Sequence, residues 1–134
     1  AAHAVLAALP DAAVDTWVRA ASAPGLFFAE LRHIGGAAAR AVPGGGAISA
    51  IEAPFVAHAL AMVPVPALGA AATAAVWENI DALAAWHSDH VVLTFRDVPR
   101  EGTADAFGAA SDRLRAVKAD LDPRSVFVAA HSVD

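Results

Sequence analysis

The sequence predicts an α+β domain in which helices cover one face of an antiparallel sheet. Some segments repeat apolar residues at helical spacing, whereas others alternate or are rich in β-branched and aromatic residues. The predicted strands are joined by short glycine-rich links, which favours antiparallel pairing. We expect residues 1–134 to form one domain with two layers, since this length suits a single core.

The first predicted elements are a helix and a strand. Residues 11–21, DAAVDTWVRAA, place their large apolar side chains on one face at helical spacing. Residues 26–34, LFFAELRHI, alternate as a strand does, so Glu30 and Arg32 are expected to share one face of the sheet.

A second strand region is predicted between residues 47 and 63, AISAIEAPFVAHALAMV. It is either one long strand or two strands bent at Pro54, because proline inside a strand implies an edge or a bulge. Residues 37–42 are compatible with a strand end or with a loop.

The second half of the chain predicts a helix, a strand, a helix and an apolar tail. Residues 66–86 have the strongest helical pattern, and residues 90–98, HVVLTFRDV, are expected to form a strand with Val92 and Thr94 on one face. Residues 103–121 are expected to form the last helix. Its predicted buried stripe consists of Phe107, Leu114, Val117 and Leu121.

The composition excludes several function classes. The chain is 57% hydrophobic and 17% charged, so we expect part of its surface to be covered by a partner subunit or domain. The net charge is −5 without a basic block, which argues against nucleic-acid binding. The absence of cysteine excludes disulfides and thiolate sites and is compatible with a cytoplasmic location. No apolar run reaches the roughly 18 residues of a membrane helix.

Few residues show a pattern typical of a chemical site. His33 and His58 could bind a metal from neighbouring strands, but no further ligand lies at suitable spacing, which favours ordinary partly buried histidines. Glu30 and Arg32 could form either the polar wall of a ligand site or a surface salt bridge. Ser111 has no visible base partner.

Three stretches, taken together, resemble the C-terminal part of the berberine-bridge-enzyme-like FAD-linked oxidoreductases. They are FFAELRHIGGAAARAVPGGGAISAIEAPFVAHALAM (27–62), VVLTFRDVPREG (91–102) and AFGAASDRLRAVKADLDPRSVFVAAHSV (106–133). Each stretch is weak alone, and it is their order and spacing that carry the resemblance over nearly the whole chain.

The resemblance implies a substrate-binding domain that lies over the flavin held by a separate FAD-binding domain. In a complete relative the substrate would give a hydride to flavin N5, and O2 would reoxidise the flavin. Glu30, Arg32 and His58 would face the substrate. The positions that face flavin in the family would be occupied by Val92, Thr94 and Ala130.

The family's side chains at those positions differ from the ones in this chain. Valine stands where the family strand carries tyrosine, and valine can act neither as a base nor as a hydrogen-bonding phenol. The family's FAD-binding half is not in this sequence, so we expect no cofactor site in this chain alone and assign no catalytic residue.

The predicted function is therefore that of a substrate-domain fragment or remnant, inactive alone, whose partner is an FAD-binding domain or subunit. The apolar tail after Asp122-Pro123 would contact that partner. The alternative is a homodimeric ligand-binding or interaction module that pairs through an uncovered sheet face. A third hypothesis is a cofactor-free enzyme of ferredoxin-like type with His33 or His58 as its base.

Overall fold

The fold is known from a computed structural model that describes residues 1–97 and 106–133. Within these residues there are three strands and three α-helices. The strands are β1 (Ala2–Leu6), β2 (Phe28–His33) and β3 (Phe55–Leu60). The helices are α1 (Asp11–Ala21), α2 (Gly69–Asp81) and α3 (Ser111–Leu121).

The three strands form one antiparallel sheet in the order β1-β3-β2. The central strand β3 pairs Ala57 with Ala4 of β1 on one side and with Leu31 of β2 on the other. Helices α1 and α2 pack on one face of this sheet. The two-layer α+β fold with helices on one face is thereby confirmed.

The core between the sheet and the two helices is built mainly from small residues on the strands and large ones on the helices. Ala57 and Ala59 of β3 are completely buried, and Ile80 of α2 has 1% of its surface exposed. Alanine on the strands lets the helices approach closely, so Trp17 of α1 and Leu83 after α2 fill the remaining space.

The two helices of this layer occur where the sequence predicts them. Helix α1 has the predicted bounds. Helix α2 is shorter than residues 66–86, because the ends of that range form 3-10 turns at Pro66–Leu68 and Ala84–Trp86. A proline at the start supplies no N–H, and a 3-10 turn is a common form for a helix end.

The strand predictions are partly wrong. Strand β1 was not predicted, although it pairs with β3 along its whole length. The region 47–63 contains only β3, which begins directly after Pro54, and residues 37–42 form a loop that starts with a turn. The structure thus selects a loop rather than a second strand before the proline.

The strand predicted at residues 90–98 is also wrong within the described residues. The backbone turns at Leu93–Phe95, where the N–H of Phe95 donates to the carbonyl of Val92 at 2.9 Å. This 3-10 turn replaces an extended conformation because its backbone groups are bound by a side chain of β1, as described below. Val98 lies outside the described residues.

Helix α3 differs from its prediction in start and in burial. It begins at Ser111 after a 3-10 turn, and residues 103–105 of the predicted helix lie outside the described residues. The predicted buried stripe is wrong at its C-terminal end, since Val117 is 42% and Leu121 76% exposed. The physical reason is that α3 makes at most marginal contact with the strands and with the other two helices.

None of the helices in the described ranges is long and apolar enough to cross a membrane.

Candidate functional site

The candidate site lies on the outer face of the sheet, which we define as the face opposite α1 and α2. The strand register brings three polar residues together there, because His58 of β3 is the pairing partner of both His3 on β1 and Glu30 on β2. Arg32 lies two residues beyond Glu30 and therefore on the same face, as the sequence predicts. We call Glu30, Arg32 and His58 the outer-face cluster.

The outer-face cluster is held by one short ion pair and one longer contact. The Arg32 guanidinium donates to Glu30 Oε1 at 2.7 Å, and His58 Nδ1 lies 3.4 Å from the same oxygen. The hydrogen bond from Arg32, followed by the contact with His58, holds the pKa of Glu30 below its usual value. The Arg32 and Glu30 side chains are 51% and 31% exposed, so solvent screens their ion pair strongly.

Aromatic rings enclose His58. The Phe95 ring stacks on the imidazole at 4.7 Å and an interplanar angle of 27°, and Phe28 contacts it edge-on at 5.5 Å. The Arg32 guanidinium carbon lies 5.1 Å from the centre of the Phe95 ring on the same side of the sheet, a cation–π distance. As a result, His58 is only 7% exposed although it stands on the face away from the helices.

A histidine on β1 holds the turn that carries Phe95. His3 Nε2 accepts the N–H of Val92 at 3.1 Å, and its Nδ1 lies 3.1 Å from the carbonyl oxygen of Phe95. The amide can only donate and the carbonyl can only accept, so the proton of the neutral ring is on Nδ1. Burial is the main cause that lowers the pKa of His3, in keeping with a neutral imidazole.

The outer face is therefore covered over β1 and β3, contrary to the expectation of an uncovered sheet face. Val5 and Val56 are each 1% exposed, since Val92 and Phe95 pack over them together with residues of the 34–53 region. The expectation was wrong because residues 92–95 form a turn across the sheet instead of a strand beside it. The outer face is open at β2, where Phe28 and Arg32 reach solvent.

The three positions compared with flavin-facing residues differ in exposure. Val92, at the start of the turn, is partly buried against the sheet, whereas Thr94 in the turn and Ala130 in the tail are exposed. The N–H of Val92 is already bound by His3. Together these three side chains offer one hydroxyl and otherwise only alkyl groups, so they do not fit a flavin site by themselves.

The chain after α3 is ordered by the carboxylate of Asp122. It accepts the N–H groups of Val126 at 2.8 Å and Phe127 at 3.0 Å, and it pairs with Lys118. Lys118 also donates to the carbonyl of Phe127 at 2.8 Å. The hydrogen bond from Lys118 is the main cause that lowers the pKa of Asp122. Ser125 adopts a φ of 49° in this turn.

The tail itself is apolar and open to solvent. We define it as residues 126–133. Val126, Phe127 and Val128 are 63%, 76% and 95% exposed. Further along, His131 Nε2 lies 3.1 Å from the carbonyl oxygen of Leu93, which ties the tail to the turn over the sheet. The expected apolar tail is thus exposed in this chain, with a groove of about 530 Å³ between it and α3.

The suggested metal pair is excluded by the strand register. His33 pairs with Phe55, three positions before His58 on β3, so the two histidines point to opposite faces of the sheet. No group of three metal-binding side chains occurs in the described part of the chain.

Sequence reasoning missed His3 and Phe95 as parts of the site. The signal that could have found His3 is the alternation in AHAVL, which places His3 and Val5 on one strand face.

The segment that covers the outer face and continues into the tail has a recognisable family pattern. Residues 95–134 match the family model described as berberine and berberine like. The resemblance to the berberine-like family is confirmed over this segment, which begins at Phe95 and includes α3 and the tail. The resemblance of residues 27–62 stays a prediction. No curated protein matches the chain.

Proposed function

We propose that this chain is the substrate-side part of an FAD-linked oxidoreductase and works with an FAD-binding domain or subunit. The proposal rests on one observation: the segment that matches the berberine-like family ends in an apolar tail that is fixed in shape yet exposed. The family match supports flavin chemistry, and the exposed tail supports contact with a partner.

The tail has the properties of a preformed contact surface. The Asp122 carboxylate and Lys118 fix the backbone at Val126 and Phe127, so little conformational entropy remains to be lost when a partner binds there. Burying one large apolar side chain completely contributes about 1.5–3 kcal/mol. Phe127 and Val128 on a partner surface would therefore supply a substantial part of the binding energy.

The open part of the outer face is proposed as the substrate side. At β2 the partly exposed carboxylate of Glu30 and the exposed guanidinium of Arg32 stand beside the partly exposed ring of Phe28. Such a surface offers one acceptor, several donors and one aromatic edge to a ligand. We assign no general base, because His58 lies under Phe95 and its Nδ1 faces Glu30.

The structure does not favour the other two hypotheses. A homodimer cannot pair through the part of the outer face around Val5 and Val56, because both side chains are already buried within one chain. A cofactor-free reaction at His58 would require a substrate to displace the stacked Phe95 ring. Pairing of two tails is kept as an outcome of the experiment below.

The experiment compares flavin binding by the chain alone and by the chain mixed with a separately produced FAD-binding domain of the berberine-like family. For the chain alone we expect no change in the absorption or fluorescence of added FAD. For the mixture we expect a complex of the two parts in which the fluorescence of the bound flavin changes, and we expect this change to depend on Phe127. The matched variants are Phe127→Ser and Phe27→Ser, because both rings are largely exposed, 76% and 66%, and only Phe127 lies in the tail.

The outcomes separate the possibilities. The proposal requires that Phe127→Ser weakens the association of the two parts and that Phe27→Ser does not. Tight FAD binding by the chain alone would overturn the view that the cofactor site is elsewhere. Equal effects of the two variants would refute the tail as the contact. A dimer of the chain that Phe127→Ser dissociates would favour self-association in place of an FAD-binding partner.

A further inference from the structure

The turn over the outer face is attached to the sheet by a hydrogen-bond pattern that only a neutral imidazole can make. His3 receives the N–H of Val92 on Nε2 and gives its Nδ1 proton to the carbonyl of Phe95. The two bound groups are the first and last of the 3-10 turn, whose own hydrogen bond joins Phe95 N–H to Val92 carbonyl. One side chain thus closes the turn against β1.

We propose that His3 is an acid-sensitive latch: its protonation weakens the attachment of the turn Val92–Phe95 to the sheet and raises the fraction of molecules in which His58 and the outer-face cluster are uncovered. A protonated ring carries a hydrogen on Nε2 as well, so that atom can no longer accept the N–H of Val92. Two donors would then face each other at a distance of 3.1 Å. The hydrogen bond is lost, and the two N–H groups repel each other.

The surroundings of His3 oppose a positive charge. His58 is its pairing partner across the strands, and Arg96 follows the turn; both act against protonation of His3. Asp97 is engaged by the amino group of Ala1 at 2.7 Å. The hydrogen bond to the Phe95 carbonyl acts in the other direction, but burial outweighs it and the pKa of His3 lies below its usual value. The latch is therefore closed at neutral pH and opens on acidification.

The other histidine contacts of this region do not respond in the same way. His131 Nε2 faces the carbonyl of Leu93 and His58 Nδ1 faces the Glu30 carboxylate, so both nitrogens act as donors. A donor stays a donor when the ring gains a proton. Acid therefore breaks the link of His3 to Val92 and leaves these two contacts able to form, which makes His131 a matched control.

Opening of the latch has a defined structural consequence. Phe95 forms the stacked ring on His58 and packs on Val56 and Val5. When the turn leaves the sheet, His58 gains access to solvent while Glu30 and Arg32 stay on β2. This inference does not depend on the proposed function, since it concerns only contacts within the chain.

The test is a pH titration of the protein by NMR from about pH 7.5 to about pH 4, which extends below the ordinary histidine range because the pKa of His3 is lowered. Three signals are followed: the ring nitrogens of His3, the amide exchange of Val92 and the ring-current shift that Phe95 imposes on His58. We expect the Nδ1–H form of His3 at neutral pH. As His3 protonates, the protection factor of the Val92 amide, corrected for intrinsic exchange, should fall about five- to tenfold, the loss of one ordinary hydrogen bond. The shift on His58 should decrease over the same pH range.

Two variants show whether His3 is the cause. His3→Gln keeps a neutral donor and acceptor, so the pH-dependent loss at Val92 should disappear. His131→Gln should leave that loss unchanged. If His3→Gln does not fold, the coincidence of the His3 ring titration with the Val92 and His58 changes in the unaltered protein still decides the question.

Several results would overturn the latch. One is a Val92 amide that stays protected while the His3 ring titrates. Another is an Nε2–H form of His3 at neutral pH, which would reverse the assigned hydrogen bonds. The third is a loss of protection that persists unchanged in His3→Gln.

Discussion

Truncation of Phe95 is the most direct perturbation of the cover over the outer face. In Phe95→Ala the stacked pair with His58 is lost, about 0.5–1.5 kcal/mol, as is the cation–π contact with Arg32, about 0.5–1 kcal/mol. The ring is partly buried on Val5 and Val56, and about half of a full phenylalanine burial adds roughly 1 kcal/mol. The free energy of unfolding should therefore fall by about 2–3.5 kcal/mol.

A second variant separates the ring contacts from simple apolar burial. Phe95→Leu keeps most of the contact with Val5 and Val56 but has no π-system for His58 or Arg32. We therefore expect it to lose about 1–2.5 kcal/mol, less than the alanine variant does. Phe127→Ala is the matched control from the same family segment, because that ring is 76% exposed and its truncation should change stability by less than about 0.5 kcal/mol.

Urea denaturation, followed by tryptophan fluorescence, measures these differences as shifts of the midpoint at constant slope. The same samples report the cover directly, because the NMR signals of His58 lose the ring-current shift of Phe95 in both variants. The reasoning is refuted if Phe95→Ala costs no more than Phe127→Ala, or if the leucine and alanine variants cost the same.

Three further predictions concern the rest of the chain. Asn79 is 2% exposed and neither of its amide atoms has a partner among the described residues, so the isosteric Asn79→Leu should raise the unfolding free energy by about 1–3 kcal/mol in urea; a decrease would show that the amide is bound. Gly25 has a φ of 96°, and an added Cβ would lie 3.1 Å from Ala75, so Gly25→Ala should cost about 1–3 kcal/mol in the same assay, and an unchanged midpoint would contradict this. Lys118 keeps the pKa of Asp122 below its usual value, so the stabilisation by Asp122 is present at neutral pH and is lost as the pH falls below about 4. The protection factors of the amides bound by Asp122, corrected for intrinsic exchange, should fall there and not in Asp122→Asn, whereas identical profiles would refute the role of its charge.

The helical layer could be predicted from the sequence because its pattern is local. Helix α1 has the predicted bounds, and α2 lies inside its predicted range. The spacing of large apolar residues reports the buried face of each helix without any knowledge of its partner. The common face of Glu30 and Arg32 could be predicted for the same reason, since alternation along a strand is also local.

The outer face could not be predicted because it depends on contacts between distant parts of the chain. The run HVVLTF has strand propensity, but its position opposite β1 lets His3 bind both ends of a turn, and this tertiary contact overrides the propensity. Strand β1 was missed because two of its five residues are alanine, which favours helices when considered alone. Burial of alanine against α2 decides its conformation here.

Helix α3 illustrates the same limit at the other end of the chain. Spacing predicted that Val117 and Leu121 of α3 are buried, and both are exposed. Apolar periodicity shows which face of a helix is suited to burial, but it does not say whether the covering surface lies in the same chain. The exposed stripe therefore agrees with the proposal that α3 and the tail meet a partner.

The segment that matches the family model connects the cover over the outer face with the exposed tail. It begins at Phe95, which covers the outer face, and it ends in the tail, which is exposed. His131 of the tail donates to the carbonyl of Leu93, which lies in the same turn that His3 binds through the N–H of Val92. A partner that fixes the tail therefore also restrains the turn through this contact. Under the proposed function, docking of an FAD-binding domain and neutral His3 act in the same direction, and both keep Phe95 over His58.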